Sequence, residues 1–415
     1  QLSGQQPYGS WLKSNKISLD DLPDPTKVNQ SIESTLLQRQ QAFGYTQEEL
    51  RIILEPMALT GKEPIGSMGN DSPIAILSDQ NPLLFNYFKQ LFAQVSNPPL
   101  DAIREELVTS VETFIGPEGN LFEESPYQCN LLQIKEPILT NLELEKIRSL
   151  NTGRLKTKTI STLFNPENHA NALEIAMDAL CKEVSKAIKD GYTIIILSDR
   201  GVDKNNAPIP SLLATSGVHH HMIREGTRTK VGIIIESGEP REVSHISLLF
   251  GFGAGAVNPY LAFETISAMS FEGLSDQKLE YSVLEKNFIK ALHKGLVKVL
   301  SKMGISTLQS YRGAQIFEAV GLNQEFVEKY FTWTPSRIGG IGIKEIEKET
   351  RSRHELAYSN INVINTSNNL KTGGSYQWRR DGEYHMWNPD TIGILQHSTS
   401  SKNPETFEEF TNIAN

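Results

Sequence analysis

Thr193-Ile-Ile-Ile-Leu197 and Val231-Gly-Ile-Ile-Ile235 are the two runs on which the fold turns. Each is short, rich in β-branched residues and apolar at successive positions. A strand with one wet face alternates apolar and polar residues; a strand covered on both faces does not. Both runs therefore read as strands of a parallel sheet flanked by helices. Working outward, short apolar runs at 74–77, 138–140, 159–164, 245–250 and 305–309 are further predicted strands. Amphipathic stretches at 83–95, 166–190, 259–269, 284–303 and 313–320 are predicted helices between them. Strand–helix alternation of this kind predicts an α/β class, and the number of units favours a barrel-like (βα) arrangement over a small doubly wound sheet.

The flanks differ. Residues 1–56 open with turn-rich segments, then become helical, with Thr46 and Glu49 forming a capping-box pattern for a helix running to Leu54. After Glu345 the periodicity fades, and residues 346–415 read as a polar connector laid over a surface. The net charge of −9 weighs against nucleic acid as a partner, because phosphate binding leaves a clustered Lys/Arg footprint. Two cysteines, Cys129 and Cys181, make no disulfide framework and are too few for a thiolate-held cluster. No apolar run is long enough to span a bilayer. The chain opens on Gln1, which raises the expectation of an internal piece of something longer.

Several motifs invite chemistry. Gly251-Phe-Gly253-Ala-Gly255-Ala256 reads as following a strand and preceding a helix, so it fits a relaxed dinucleotide fingerprint; close strand–helix packing also explains its glycines. A self-contained dinucleotide-binding enzyme built on that loop is the alternative reading of the chain. His219-His220-His221, read as extended, would point to alternate faces and so would not chelate one ion. Asp199-Arg200 and Glu236 follow predicted strand ends, where α/β folds place their chemistry. Residues 66–73 form a tight loop with free amides. Asn141 reads as the cap of a helix over 142–149.

Longer runs resemble a known family, glutamate synthase. These are Glu55-Pro-Met-Ala58, the stretch 61–71, Asn86-Tyr-Phe-Lys-Gln-Leu-Phe-Ala-Gln-Val95, Gly116-Pro-Glu-Gly-Asn-Leu121, Pro137-Ile-Leu-Thr-Asn141, Leu197-Ser-Asp-Arg-Gly201 and Gly382-Glu-Tyr-His385. The resemblance covers nearly the whole chain. It implies that 1–56 is the end of a glutamine amidotransferase domain, 57–345 a central barrel-like domain lacking its cofactor, and 346–415 a connector toward an FMN-binding domain. It implies an enzyme making glutamate from glutamine and 2-oxoglutarate, with FMN and a 3Fe-4S cluster held outside this segment. No catalytic, cofactor or metal residue is expected here. Residues 382–386 look most like the ferredoxin-dependent branch, which implies ferredoxin as partner and the plastid stroma, or a cyanobacterial cytoplasm, as location; an NADPH-dependent form is the alternative. Arg380-Asp381 departs from the family, which more often has a small residue before the glycine, and leaves that local turn open. Thr140 and Asn141 are expected to form an ammonia tunnel mouth, since the segment up to Glu143 is uncharged.

Overall fold

The computed structural model describes residues 4–25, 34–66, 70–93, 99–120, 122–167, 171–272, 279–358 and 369–414. Its centre is a parallel sheet. Helix α1 (Asn141–Arg148) leads into strand β1 (Leu155–Ser161), and then come α2 (Ala172–Lys189), β2 (Ile194–Ser198), α3 (Ser211–Arg224), β3 (Gly232–Glu236), α4 (Val243–Gly251) and β4 (Ala256–Asn258). Each strand lies beside its predecessor, in the order β4-β3-β2-β1. The register runs Thr159 to Ile196 to Ile234 to Ala256 across the sheet. All five residues of β2 and of β3 are buried, as continuous apolar runs require.

The expected barrel is corrected here. Strand Asn151–Thr152 runs antiparallel along β1 at one edge, and Ile138 makes a parallel bridge to Val257 at the other. Among the described residues these edges do not meet, so the sheet winds in one direction without closing.

Two long helices, α5 (Tyr260–Glu272) and α6 (Tyr281–Lys302), follow β4, and a second parallel pair, β5 (Phe317–Leu322) with β6 (Ser336–Ile341), lies beyond. The segment from Phe43 to Ala58 shares one apolar core with α2, α3 and α6. Helix α7 (Ile343–Tyr358) also joins that core, through Ile346 and Ala357. Its buried face carries Glu347, Thr350, Arg353 and His354, so polar residues hide an amphipathic pattern that sequence reads as fading.

Other expectations are overturned for physical reasons. Residues 245–250 are helical in α4, because a continuous apolar run also suits a helix buried all round; His245 stacks on Phe85 at 4.4 Å. Residues 305–309 enter a short helix, Leu308–Tyr311, capped by the Thr307 hydroxyl. Residues 74–77 form a 3₁₀ turn, Ala75–Leu77. Within the stretch read as a helix over 83–95, a 3₁₀ turn (Leu84–Tyr87) gives way to a strand (Phe88–Gln90) pairing antiparallel with β5; residues 94 and 95 lie outside the described residues. Residues 317–320, read as helix, are in β5, where the sheet partner outweighs local propensity. The Thr46–Glu49 capping box is present, and the helical path continues beyond Leu54 to Thr60.

A strap of residues 371–388 crosses the N-terminal helices. The buried Glu48 carboxylate accepts backbone N–H groups from Gly374 (2.6 Å), Ser375 (2.7 Å), Tyr376 (3.2 Å) and Gln377 (2.9 Å). His385 secures the other end, with Nδ1 2.8 Å from Asp71 Oδ1 and Nε2 2.6 Å from the Gly374 carbonyl.

Candidate functional site

The carboxyl ends of β2, β3 and β4 gather charge in a buried place. Glu236, last in β3, is 1% exposed. It accepts from Arg148 Nη2 (2.8 Å), Arg200 Nε (2.7 Å) and Ser198 Oγ (2.5 Å). Burial pushes its carboxyl up, but Arg200 and Arg148 outweigh that and hold it below the usual range. Arg200 reaches on to Glu264 at 3.0 Å and stacks on Tyr260 at 4.0 Å. Arg39, from the N-terminal helix Leu36–Ala42, pairs with the same Glu264. Arg148 also pairs with Glu145 at 2.9 Å, so three guanidiniums meet three carboxylates.

Asp199 belongs to the same end but behaves differently. Its carboxyl accepts from Ser237 Oγ and from Gly238 N (3.0 Å), and no cation among the described residues pairs with it. Burial pushes it up to about 8, so it carries its proton at neutral pH. The Tyr260 hydroxyl leans toward Asp199 without closing a hydrogen bond. Arg241, 1% exposed, ties the next loop down. It donates to Glu49 Oε1 (2.9 Å), to the carbonyls of Phe43 (3.1 Å), Gly44 (2.8 Å) and Glu239 (3.0 Å), and stacks on Tyr45.

Thr140 and Asn141 lie at the edge of this cluster. Thr140, not Asn141, caps α1: its hydroxyl accepts from Glu143 N at 3.2 Å while Glu143 reaches back to Thr140 N. Asn141 is the first helical residue, and its side chain is spent otherwise. Asn258 Nδ2 donates to Asn141 Oδ1 at 3.1 Å and to the Leu139 carbonyl at 2.9 Å. Asn258 is fully buried, and its Oδ1 has no hydrogen-bond partner among the described residues. Sequence reading gave Asn258, Glu264, Arg148 and Arg241 no chemical role.

The other motifs are rearranged. The Gly251 loop follows helix α4 and precedes strand β4, the reverse of the expected order, so no helix N-terminus points at it. Its glycines answer to packing: a Cβ on Gly251 would meet Phe317 at 2.8 Å, and one on Gly253, where φ is +115°, would meet His219 at 2.3 Å. His219, His220 and His221 lie on helix α3 rather than in an extended segment. His219 Nδ1 accepts from Arg228 Nε at 2.9 Å and His221 meets Ser185 Oγ at 2.8 Å. Of the loop 66–73, residues 67–69 lie outside the described residues.

The described residues do not fit a flavin or an iron–sulfur cluster. Cys129 and Cys181 sit on separate elements, and burial holds the Cys181 thiol up to about 11, the opposite of a ligand thiolate. The glycine loop lacks the strand-to-helix polarity that cradles a phosphate.

Fold and site together define a helix-covered α/β protein whose polar chemistry is concentrated at strand carboxyl ends. Residues 38–323 match the glutamate synthase central domain, and the chain belongs to that family. It is 44% identical to the glutamate synthase [NADPH] large chain of Bacillus subtilis, covering all of this chain and 26% of that one. It is 41% identical to glutamate synthase [NADH] of Saccharomyces cerevisiae, over 98% of this chain and 20% of that one. It is 38% identical to ferredoxin-dependent glutamate synthase 2 of Synechocystis, over 97% of this chain and 26% of that one. The chain therefore spans between a fifth and about a quarter of these relatives' length. Among solved structures, a flavocytochrome b2 overlaps 33% of the chain at 11% identity and a TM-score of 0.27, too little to define a shared fold.

Proposed function

We propose that this chain is the ammonia-conducting and scaffolding portion of a glutamate synthase, with Thr140 and Asn141 at the tunnel mouth. The observation that carries the reading is the Asn141–Asn258 amide pair, which leaves a neutral, buried acceptor, Asn258 Oδ1, unused. Ammonia must stay unprotonated to react, so its route favours neutral acceptors over free carboxylates. The carboxylates nearby are engaged: Glu236 and Glu264 pair with Arg148, Arg200 and Arg39, and Glu143 is taken up by the Thr140 cap. Arg148 also pairs with Glu145, so these charges balance and none of these carboxylates is left free to hold ammonium.

In this reading residues 1–56 close a glutamine amidotransferase domain, 57–345 form the central domain and 346–415 lead toward an FMN domain. These are functional divisions rather than breaks in packing, since Phe43 and Leu54 share the central core. The whole enzyme makes two glutamates from glutamine and 2-oxoglutarate, with FMN and a 3Fe-4S cluster held elsewhere. The donor read from residues 382–386 is ferredoxin, which places the enzyme in a plastid stroma or a cyanobacterial cytoplasm. A pyridine nucleotide is the second reading, favoured by 44% identity to the NADPH-type chain against 38% to the ferredoxin-dependent one. Turnover with each donor in turn separates the two.

Asn141→Asp in the full enzyme tests the conduit. Thr140 keeps the cap, and an acid at the first helical position suits the helix dipole, so stability is unaffected. Asp still accepts from Asn258 but places a carboxylate on the route. Glutamine hydrolysis is expected to exceed glutamate formation, with ammonia lost to solvent. A stable variant that still hydrolyses one glutamine per 2-oxoglutarate refutes the assignment.

A further inference from the structure

Arg228 and Arg312 flank the Gly251 loop, at the opposite strand ends from the Asn141–Asn258 pair. Arg228 Nη2 donates to the Gly253 carbonyl at 2.9 Å, its Nη1 to Val231 O at 2.8 Å and its Nε to His219 Nδ1 at 2.9 Å. Gly313 N donates to the Gly251 carbonyl at 3.0 Å, which sets the adjoining Arg312 against the same loop. Arg312 Nη2 donates to Gln309 Oε1 and makes no other hydrogen bond among the described residues. A guanidinium has five N–H donors. Most of Arg312's are therefore unused, and neither arginine has an unpartnered nitrogen sealed from solvent.

No carboxylate among the described residues lies within ion-pair distance of either arginine, although both are partly buried. Burial, and then the charge of Arg312, pulls Arg228 down to about 10. Burial lowers Arg312 too, with Glu118 pulling the other way. His219 and His220, held by burial at about 2 and about 4, add no charge. Glu118 is the acid that faces the pair: its N–H donates to Thr229 O at 2.7 Å and its Oε1 accepts from Gln309 Nε2 at 3.2 Å, yet its exposed carboxylate pairs with neither arginine. Two crowded cations, neither in an ion pair and with Glu118 as the acid facing them, make a site that a further anion stabilises.

We propose that Arg228 and Arg312 form a binding site for the phosphoryl group of a small molecule. Two guanidinium forks meeting one ligand suit a dianion with three free oxygens better than a carboxylate, which has two oxygens and one charge. Arg228 is fixed by two backbone carbonyls and serves as the anchor. Arg312, nearly free of partners, closes on the ligand. Glu118 competes with it for Gln309 and Arg312.

The test uses the full polypeptide carrying this chain, titrated with inorganic phosphate at constant ionic strength and followed by calorimetry and ³¹P linewidth. A parallel titration with methyl phosphate distinguishes free phosphate from a phosphomonoester. Arg312→Gln is expected to weaken one saturable class of phosphate sites by about tenfold, the scale of a lost charge-assisted bond. Glu118→Gln is expected to tighten the same class severalfold, which a purely structural role for these residues would not produce. Should Arg312→Gln fold poorly, Arg312→Lys keeps the charge, loses the fork and gives an intermediate weakening. Absence of saturable binding, unchanged affinity in both Arg312 variants, or weaker binding in Glu118→Gln overturns the proposal.

Discussion

Arg241→Met removes a buried side chain held by four hydrogen bonds. The guanidinium holds Glu49 at 2.9 Å and three carbonyls, and its 1% exposure leaves no water to replace it. Methionine restores most of the stem's volume, so little apolar packing is lost. What remains is a stranded carboxylate on Glu49, 12% exposed, beside three carbonyls without donors. Removing one partner of a buried pair costs about 3–5 kcal/mol. Each orphaned carbonyl adds up to about 1–3 kcal/mol where water cannot enter, so a loss of about 4 kcal/mol is a conservative expectation. Against a typical total of about 5–15 kcal/mol, that brings the segment Phe43 to Ala58 close to detachment. Urea unfolding followed by tryptophan fluorescence measures it, as a midpoint shift at constant slope. Glu49→Gln added to Arg241→Met should return about 1–2 kcal/mol, because a neutral amide is cheaper to bury and still accepts from Thr46. A single-variant loss under about 1 kcal/mol, or a second substitution that destabilises further, refutes the reasoning.

Two further expectations concern pH. Asp199, pushed up to about 8 by burial, contributes stability that is complete below its ordinary value of 3.8 and lost as pH rises through its folded value. Asp199→Asn keeps an acceptor for Gly238 N, so it should be near neutral at about pH 3.5, below the ordinary value, and stabilising by more than about 1 kcal/mol at pH 9; equal effects at both pH values contradict this. The strap should hold best in mildly acid solution. Both His385 nitrogens face acceptors, which suits the imidazolium; burial lowers its pKa, but the Gly374 carbonyl and Asp71 outweigh that and raise it. Its contribution is present below 6.5 and fades as pH rises through the raised value. Asp71, pulled down mainly by His385 against burial, contributes above 3.8 and fails as pH falls through its lowered value. Amide exchange of residues 371–388, corrected for intrinsic rates, should show more opening at pH 8.5 than at pH 6; identical protection sinks the idea.

The central sheet was legible because β2 and β3 are buried on both faces, and burial leaves a continuous apolar record. The same record misled at 245–250, since a helix buried all round leaves an identical trace. Helix α7 was hidden for the opposite reason: its inward face is built from Glu347, Thr350, Arg353 and His354, and three of these polar groups bond to Leu173, Asn81 and Asp203, far away in sequence. Strand β4 went unseen because three residues carry too little pattern. At the candidate site, Asp199-Arg200 and Glu236 stood out as polar residues at strand ends. Arg39 and Arg148 did not, because surface arginines and these look alike until the fold brings them to Glu264 and Glu236.

The pinning of the strap by Glu48 also sets a timetable. Glu48 and Gly374 are separated by 326 residues. A ribosome adding about 5–20 residues per second needs roughly 16–65 seconds to span that interval. Throughout it, the Glu48 carboxylate has emerged without the four amides that will receive it. The N-terminal helices must therefore wait in a provisional arrangement, wetted at that acid, until almost the whole segment is made. Damage to the strap by truncation or proteolysis would return them to that nascent condition, far along the chain from the cut.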